Sequence, residues 1–140
     1  MRFMMLLKAD KRTEAGVLPT ARELEVMGKY NEELIKAGVL LDGAGLQPSS
    51  KGAKITFENG TTRVIDGPFA ETKELLAGYW IIRVKSKEEA IEWASRCPAA
   101  DNETIEVRQV HEFAEFPPDV QEAAAGFPEL TGQPGRVAGS

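Results

Sequence analysis

Three carboxylates and one ammonium crowd a short stretch near the middle of the chain: Asp66, Glu71, Lys73 and Glu74, within Asp66-Gly67-Pro68-Phe69-Ala70-Glu71-Thr72-Lys73-Glu74. Carboxyl groups held close together in a partly dry cleft have their pKa values driven apart, and one can then serve as a general base near neutral pH. A plainer account fits the same residues, because Asp-Gly-Pro is turn chemistry and mixed Glu and Lys decorate solvated turns. Further along, strand alternation puts Ile105, Val107 and Gln109 on one face, with Glu106, Arg108 and Val110 on the other. Arg108 is placed either to clamp an anionic substrate bidentately or to form an ion pair with Glu106 or a carboxylate of another subunit. The working site has Asp66 as general base, Arg108 and Tyr79 orienting a small polar ligand, and Glu71, Lys73 and Glu74 beside them.

Other chemistries find little footing. His111 is the only histidine and Cys97 the only cysteine, so neither a disulfide within the chain nor a His- or Cys-rich metal site can be built. Gly43-Ala44-Gly45 is too short for a phosphate-cradling or dinucleotide loop, and no cofactor is expected. Trp80, Trp93 and Tyr30 sit at packing positions, and Cys97 beside Pro98 reads as a buried thiol. The net charge of −5 and the lack of a basic run argue against direct contact with nucleic acid.

Regular elements must hold these groups in place. Phe3–Leu7 is an unbroken apolar run, as in a strand covered on both faces. Asp10–Pro19 reads as a polar loop. Thr20 with Glu23 forms a capping box, and Leu24, Met27, Tyr30, Leu34 and Ala37 recur at helical spacing until Gly38, which predicts a helix over 20–37. Val39–Leu41 resumes extended structure, and Gly43 and Gly45 mark a bulge or a close backbone approach. Ile55–Phe57 and Arg63–Ile65 flank Asn59-Gly60, a strong hairpin signal. Tyr79–Val84 is a further strand. Ser86 and Glu89 predict a second capping box, opening a helix with Ala90, Ile91, Ala94 and Cys97 on one face and Pro98 as its stop. Ile105–Val110 closes the pattern. The reading is α+β: a ferredoxin-like split βαβ arrangement in the order β-α-β-β-β-α-β.

Several of these stretches together resemble the DGPF group of the YCII-related family. Asp-Gly-Pro-Phe stands at 66–69 and Glu-Thr-Lys-Glu at 71–74. The resemblance extends to Gly38–Gly45, Gly78-Tyr79, the Glu89–Ala94 helix and Ile105–Arg108, running from about residue 1 to 112. Gln109 stands where the family often has proline. The resemblance implies a dimeric α/β-barrel with a cleft near the Asp of the motif. It also implies kinship with small-molecule isomerases, lyases and monooxygenases that often lack any cofactor, and a link to alternative sigma factors through gene neighbours or fusions.

The strands point to a pair independently. Phe3–Leu7 and Tyr79–Ile82 are apolar at both parities, whereas helices cover one face of such a sheet, so a second copy is the simplest cover for the other. Two function classes follow: a cofactor-independent acid–base enzyme acting on a small anionic molecule, or a non-catalytic ligand-binding or regulatory module. A fold of 1–112 with a C-terminal extension at 113–140 is expected. With no apolar stretch near the ~20 residues of a membrane span and too short an apolar start for a signal peptide, a cytoplasmic location is expected.

Overall fold

In a computed structural model of the chain, residues 1–127 are described, apart from the side chain of Lys73. The Gly- and Pro-rich stretch from Gly126 to Ser140, expected to end in a mobile tail, lies outside the described residues from 128 on. Six strands are found among those residues: β1 (Arg2–Lys8), β2 (Leu40–Gly45), β3 (Ala53–Glu58), β4 (Thr61–Asp66), β5 (Leu76–Arg83) and β6 (Ile105–Gln109). Helices α1 (Lys11–Glu14), α2 (Ala21–Lys36), α3 (Lys87–Ser95) and α4 (Pro118–Ala124) complete the order. An antiparallel sheet runs β2-β5-β1-β6, and β3 and β4 form a separate two-stranded ribbon. This α+β arrangement fits a ferredoxin-like fold.

The expected order has three strands between the long helices, although the extended runs read from the residues number four. Four strands separate α2 from α3, and two of them leave the main sheet as an arm. Asn59 and Gly60 both take positive φ, +48° and +78°, which is the backbone a tight hairpin needs.

The helix starts follow their caps. Thr20 Oγ1 accepts from Glu23 N at 3.1 Å while the Glu23 carboxylate reaches back to Thr20 N at 3.4 Å. Ser86 Oγ accepts from Glu89 N at 3.1 Å, but the return half of the predicted box is absent: Glu89 Oε2 accepts from Lys85 N instead, at 2.8 Å. The 10–19 stretch is not all loop. Asp10 Oδ1 accepts from Thr13 N at 2.8 Å and Thr13 Oγ1 accepts from Asp10 N at 2.9 Å, a reciprocal cap that opens the single turn α1.

The core lies between one sheet face and helices α2 and α3. Phe3 and Met5 of β1, Trp80 and Ile82 of β5, Tyr30 and Leu34 of α2, and Ala90 of α3 are buried there. Tyr30 and Trp80 meet edge to face at 5.9 Å, and the Tyr30 hydroxyl donates to Trp93 O at 2.7 Å. Burial raises the Tyr30 phenol above its ordinary range. Trp93 and Ala94 pack against the core, whereas Ile91, expected on the same face, is 45% exposed. The opposite sheet face carries Met4, Leu6, Tyr79 and Ile81, all half-buried. On β6 the expected alternation is found: Ile105 and Val107 pack on the core, and Glu106 and Arg108 stand opposite Leu6 and Met4 on the open face. Gln109 pairs with Phe3 in regular register.

Candidate functional site

A cleft of about 860 Å³ opens between α2, the β2–β5 end of the sheet and the loop after α3. Its origin lies in three missing side chains. Gly43 pairs with Trp80 and Gly45 with Gly78, so on its helix-facing side this end of the sheet bears Trp80 and almost nothing else. A Cβ on Gly43 would lie 3.2 Å from Tyr79 O and 3.3 Å from Trp80 Cδ1, and one on Gly78 would lie 3.0 Å from Ala44 O. Close backbone approach therefore accounts for Gly43 of β2, beside the register shift at Leu40/Asp42, and for Gly78 of β5. A Cβ on Gly45 would meet nothing within 4 Å, because it would enter the cleft.

With that floor bare, α2 overhangs space. Leu24 belongs to the apolar stripe of α2 yet is 64% exposed, and Met27, lower on the same face, is half-buried. Both line the cleft together with Leu7, Leu40, Trp80 and Pro98. The Trp80 indole is fixed in place, its Nε1–H donating to Asn31 Oδ1 at 2.9 Å. Asn31 was not among the expected site residues, although a polar side chain within the Met27–Leu34 stripe is a readable signal. Cys97 also borders the cleft, and burial pushes its thiol up to about 11.

Charged groups stand at the rim: Asp10, Arg12, Arg22, Glu23 and Glu103. The three carboxylates are already engaged with backbone. Asp10 caps α1, Glu23 closes the Thr20 box with Arg12 at 3.6 Å, and Glu103 Oε1 accepts from Ala100 N at 2.8 Å. The Thr20 hydrogen bonds hold the Glu23 carboxyl below the ordinary range.

The expected site residues fall in different places. Tyr79 contributes to the cleft lining, but strand alternation sends its side chain to the open face, where the hydroxyl lies 3.5 Å from Asp42 Oδ2. Arg108 is on that open face too, 73% exposed, with Nε 2.9 Å from Glu106 Oε2. Glu106 also takes Lys8 Nζ at 3.0 Å, and the Lys8 ammonium, assisted by Arg108, holds its carboxyl low. Asp66 ends β4 and is exposed, as are Glu71 and Glu74. None of these three lines the cleft. The side chain of Lys73 is outside the described structure. Tyr79 and Arg108 thus share a sheet face, while the 66–74 carboxylates form a separate group on exposed chain.

The Asp66–Phe69 turn is nonetheless clamped. Gly67 N donates to Gly52 O at 3.0 Å and Phe69 N to Ser49 Oγ at 3.0 Å. Ser49 in turn donates from Oγ to Glu14 Oε2 and from its backbone N to Glu14 Oε1 at 2.9 Å. A Cβ on Gly67 would overlap the Ser49 carbonyl oxygen, so only glycine lets the two segments touch. Sequence reasoning missed Glu14 and Ser49, because their partnership spans 35 residues and follows no local motif.

The model of the YCII-related domain matches residues 1–114. The chain belongs to the YCII-related family. The chain is also similar to a protein from Rhizobium meliloti (strain 1021) that is described as uncharacterised. It is 37% identical over 73 residues, covering 52% of this chain and 59% of that protein. The match to the YCII-related domain takes in the cleft, the arm, the Asp66–Phe69 turn and β6. No helix among the described residues is long and apolar enough to cross a membrane.

Proposed function

We propose that this YCII-related chain binds a small molecule with an apolar body in the cleft between α2 and the β2–β5 sheet end. One observation carries the reading: the paired glycines leave a floor without side chains beneath an apolar helix stripe, next to a Trp80 indole locked by Asn31. Volume and lining are those of ligand pockets, largely apolar with a few fixed polar groups. The rim carboxylates already cap backbone N–H groups, which supports a binding site rather than an acid–base centre there. A thermal-shift screen against a metabolite library, followed by a test of whether any hit is consumed, checks this. Binding hits that Gly45→Leu abolishes are expected; hits indifferent to that substitution would oppose the reading.

A second reading keeps acid–base chemistry on a small anionic molecule at Asp66, in the motif that resembles the DGPF group, with Arg108 and Tyr79 positioning the ligand and Glu71, Lys73 and Glu74 nearby. Its support is the clamp on the Asp66 turn, held by two hydrogen bonds from Gly67 N and Phe69 N, with Ser49 in turn anchored to Glu14 by two more. On this reading two copies pair through their open sheet faces, where Met4, Leu6, Tyr79 and Ile81 offer apolar cover to a twin. Asp66→Asn should then remove turnover without unfolding the chain; unchanged turnover of an identified substrate would end the assignment.

A further inference from the structure

The β3–β4 arm has two unlike faces. By its pairing register Ala53, Ile55 and Phe57 share a face with Thr62, Val64 and Asp66, while Lys54, Thr56 and Glu58 share the other with Thr61, Arg63 and Ile65. The more polar face is turned toward the body at its base, where Lys54 Nζ lies 4.2 Å from the centre of the Phe69 ring. The apolar face looks outward. Ile55, Phe57 and Val64 are 53%, 79% and 64% exposed, on the order of 350 Å² of greasy surface from three side chains of such size. A patch of that size is within the range of the single largest patch on a monomer, which is often a functional contact, and a two-stranded ribbon has little stability of its own.

We propose that the apolar face of this arm packs on the open sheet face of a second copy, bringing Asp66 of one chain to the Lys8–Glu106–Arg108 cluster of the other. The idea rests on the pairing of two copies described above and adds the arm to it. Charge favours this occupant. Glu106 is shared by two cations, so the cluster holds one positive charge in excess, and Arg108 is its exposed member. The arm's apolar face carries one carboxylate, Asp66, with no ion-pair partner among the described residues. Area favours it as well. The arm alone falls short of the ~800 Å² per partner of a stable interface, but a two-fold pair buries two arms and two sheet faces at once. Asp66 would thereby lie beside Arg108 of the neighbouring copy, a juxtaposition that no single chain provides on its own.

Light scattering on size-exclusion fractions tests this with the full chain. Wild type should elute at twice the 15.3 kDa chain mass. Phe57→Asp, at a site exposed within one chain, should weaken pairing at least 100-fold while leaving the circular-dichroism spectrum unchanged. Asp66→Arg and Arg108→Asp should each weaken it about tenfold or more, and the two together should restore pairing to within about threefold of wild type. A wild type that stays monomeric at 100 µM overturns the pairing itself. A pair that survives Phe57→Asp, or a double charge swap no tighter than the single variants, overturns the arm proposal and leaves sheet-to-sheet pairing standing. Binding of the arm to lipid vesicles or to another protein by a monomeric wild type would also overturn it.

Discussion

Replacing Gly67 by alanine should cost about 3 kcal/mol of stability, and the sum can be built from contacts. The new methyl would stand 2.6 Å from the Ser49 carbonyl carbon and 3.3 Å from Ser50 N, besides overlapping the Ser49 oxygen. No adjustment of a flexible side chain relieves this, since the obstacle is backbone. The Ser49–Lys51 turn must withdraw, an overpacking strain of roughly 1–3 kcal/mol. Withdrawal also stretches the hydrogen bonds Gly67 N to Gly52 O and Phe69 N to Ser49 Oγ, worth about 1 kcal/mol each. For a domain whose total stability is of order 5–15 kcal/mol, that is a large fraction. Urea denaturation followed by circular dichroism is the assay, and with a slope near ~2 kcal/mol per molar the midpoint should fall by about 1.5 M. Hydrogen exchange at the Phe69 amide should speed up in parallel. Gly28→Ala is the matched control: a Cβ there meets nothing within 4 Å and the site is inside α2, so the change should stabilise by about 0.5–1 kcal/mol. A Gly67→Ala protein with a midpoint within ~0.3 M of wild type would refute the clamp.

Thr20→Ala removes the acceptor for Glu23 N and should destabilise by about 1 kcal/mol in the same urea assay, with Thr20→Ser close to wild type. Asn31→Leu strips the partner from the buried Trp80 Nε1–H and should cost about 1–3 kcal/mol, along with a shift of the Trp80 fluorescence. Burial raises Cys97 from 9.0 to about 11, so the folded state retains the thiol proton that the unfolded chain loses first. Stability should therefore be unaffected below pH 9 and decline between pH 9 and 11, less so in Cys97→Ala; equal slopes in both proteins would contradict the burial argument. On the acid side, the Arg2 guanidinium, 3.0 Å from Glu112, holds that carboxyl low. Its stabilising effect is complete above the ordinary carboxylate range and fades as pH falls through the lowered value, and Arg2→Gln should flatten that part of the pH–stability curve.

What could be read from the residues alone follows the range of the forces involved. The span and start of α2 came from a local cap and a 3.6-residue stripe, and the arm's turn from Asn59-Gly60, each a matter of a few neighbouring residues. Whether the β3–β4 ribbon joins the main sheet depends on competition for the β2 and β6 edges, which no local pattern encodes. The short helix α1 was missed because its box uses Thr13 where Glu or Gln is the usual signal. Gly43 was legible as a close approach, whereas Gly45, read the same way, meets nothing and opens the cleft because it faces Gly78, a pairing across 33 residues. For the same reason Asp66, Arg108 and Tyr79 could be singled out by chemistry and not by position. Alternation placed Glu106 and Arg108 on one face of β6 correctly, and the fold then put Tyr79 on that face and set the 66–74 carboxylates on exposed chain apart from the cleft.

The most direct test of the cleft as the binding site is chemical-shift mapping on the ¹⁵N-labelled chain with a fragment library of small aromatic and aliphatic acids, amides and alcohols. Binding fragments should move the Trp80 indole N–H and the amides of Gly45 and Gly78, while the Trp93 indole, which stacks against Arg96, stays in place. Shifts gathered at Asp66, Phe69 and Arg108 with the Trp80 indole unmoved would contradict the account and return the site to the motif turn.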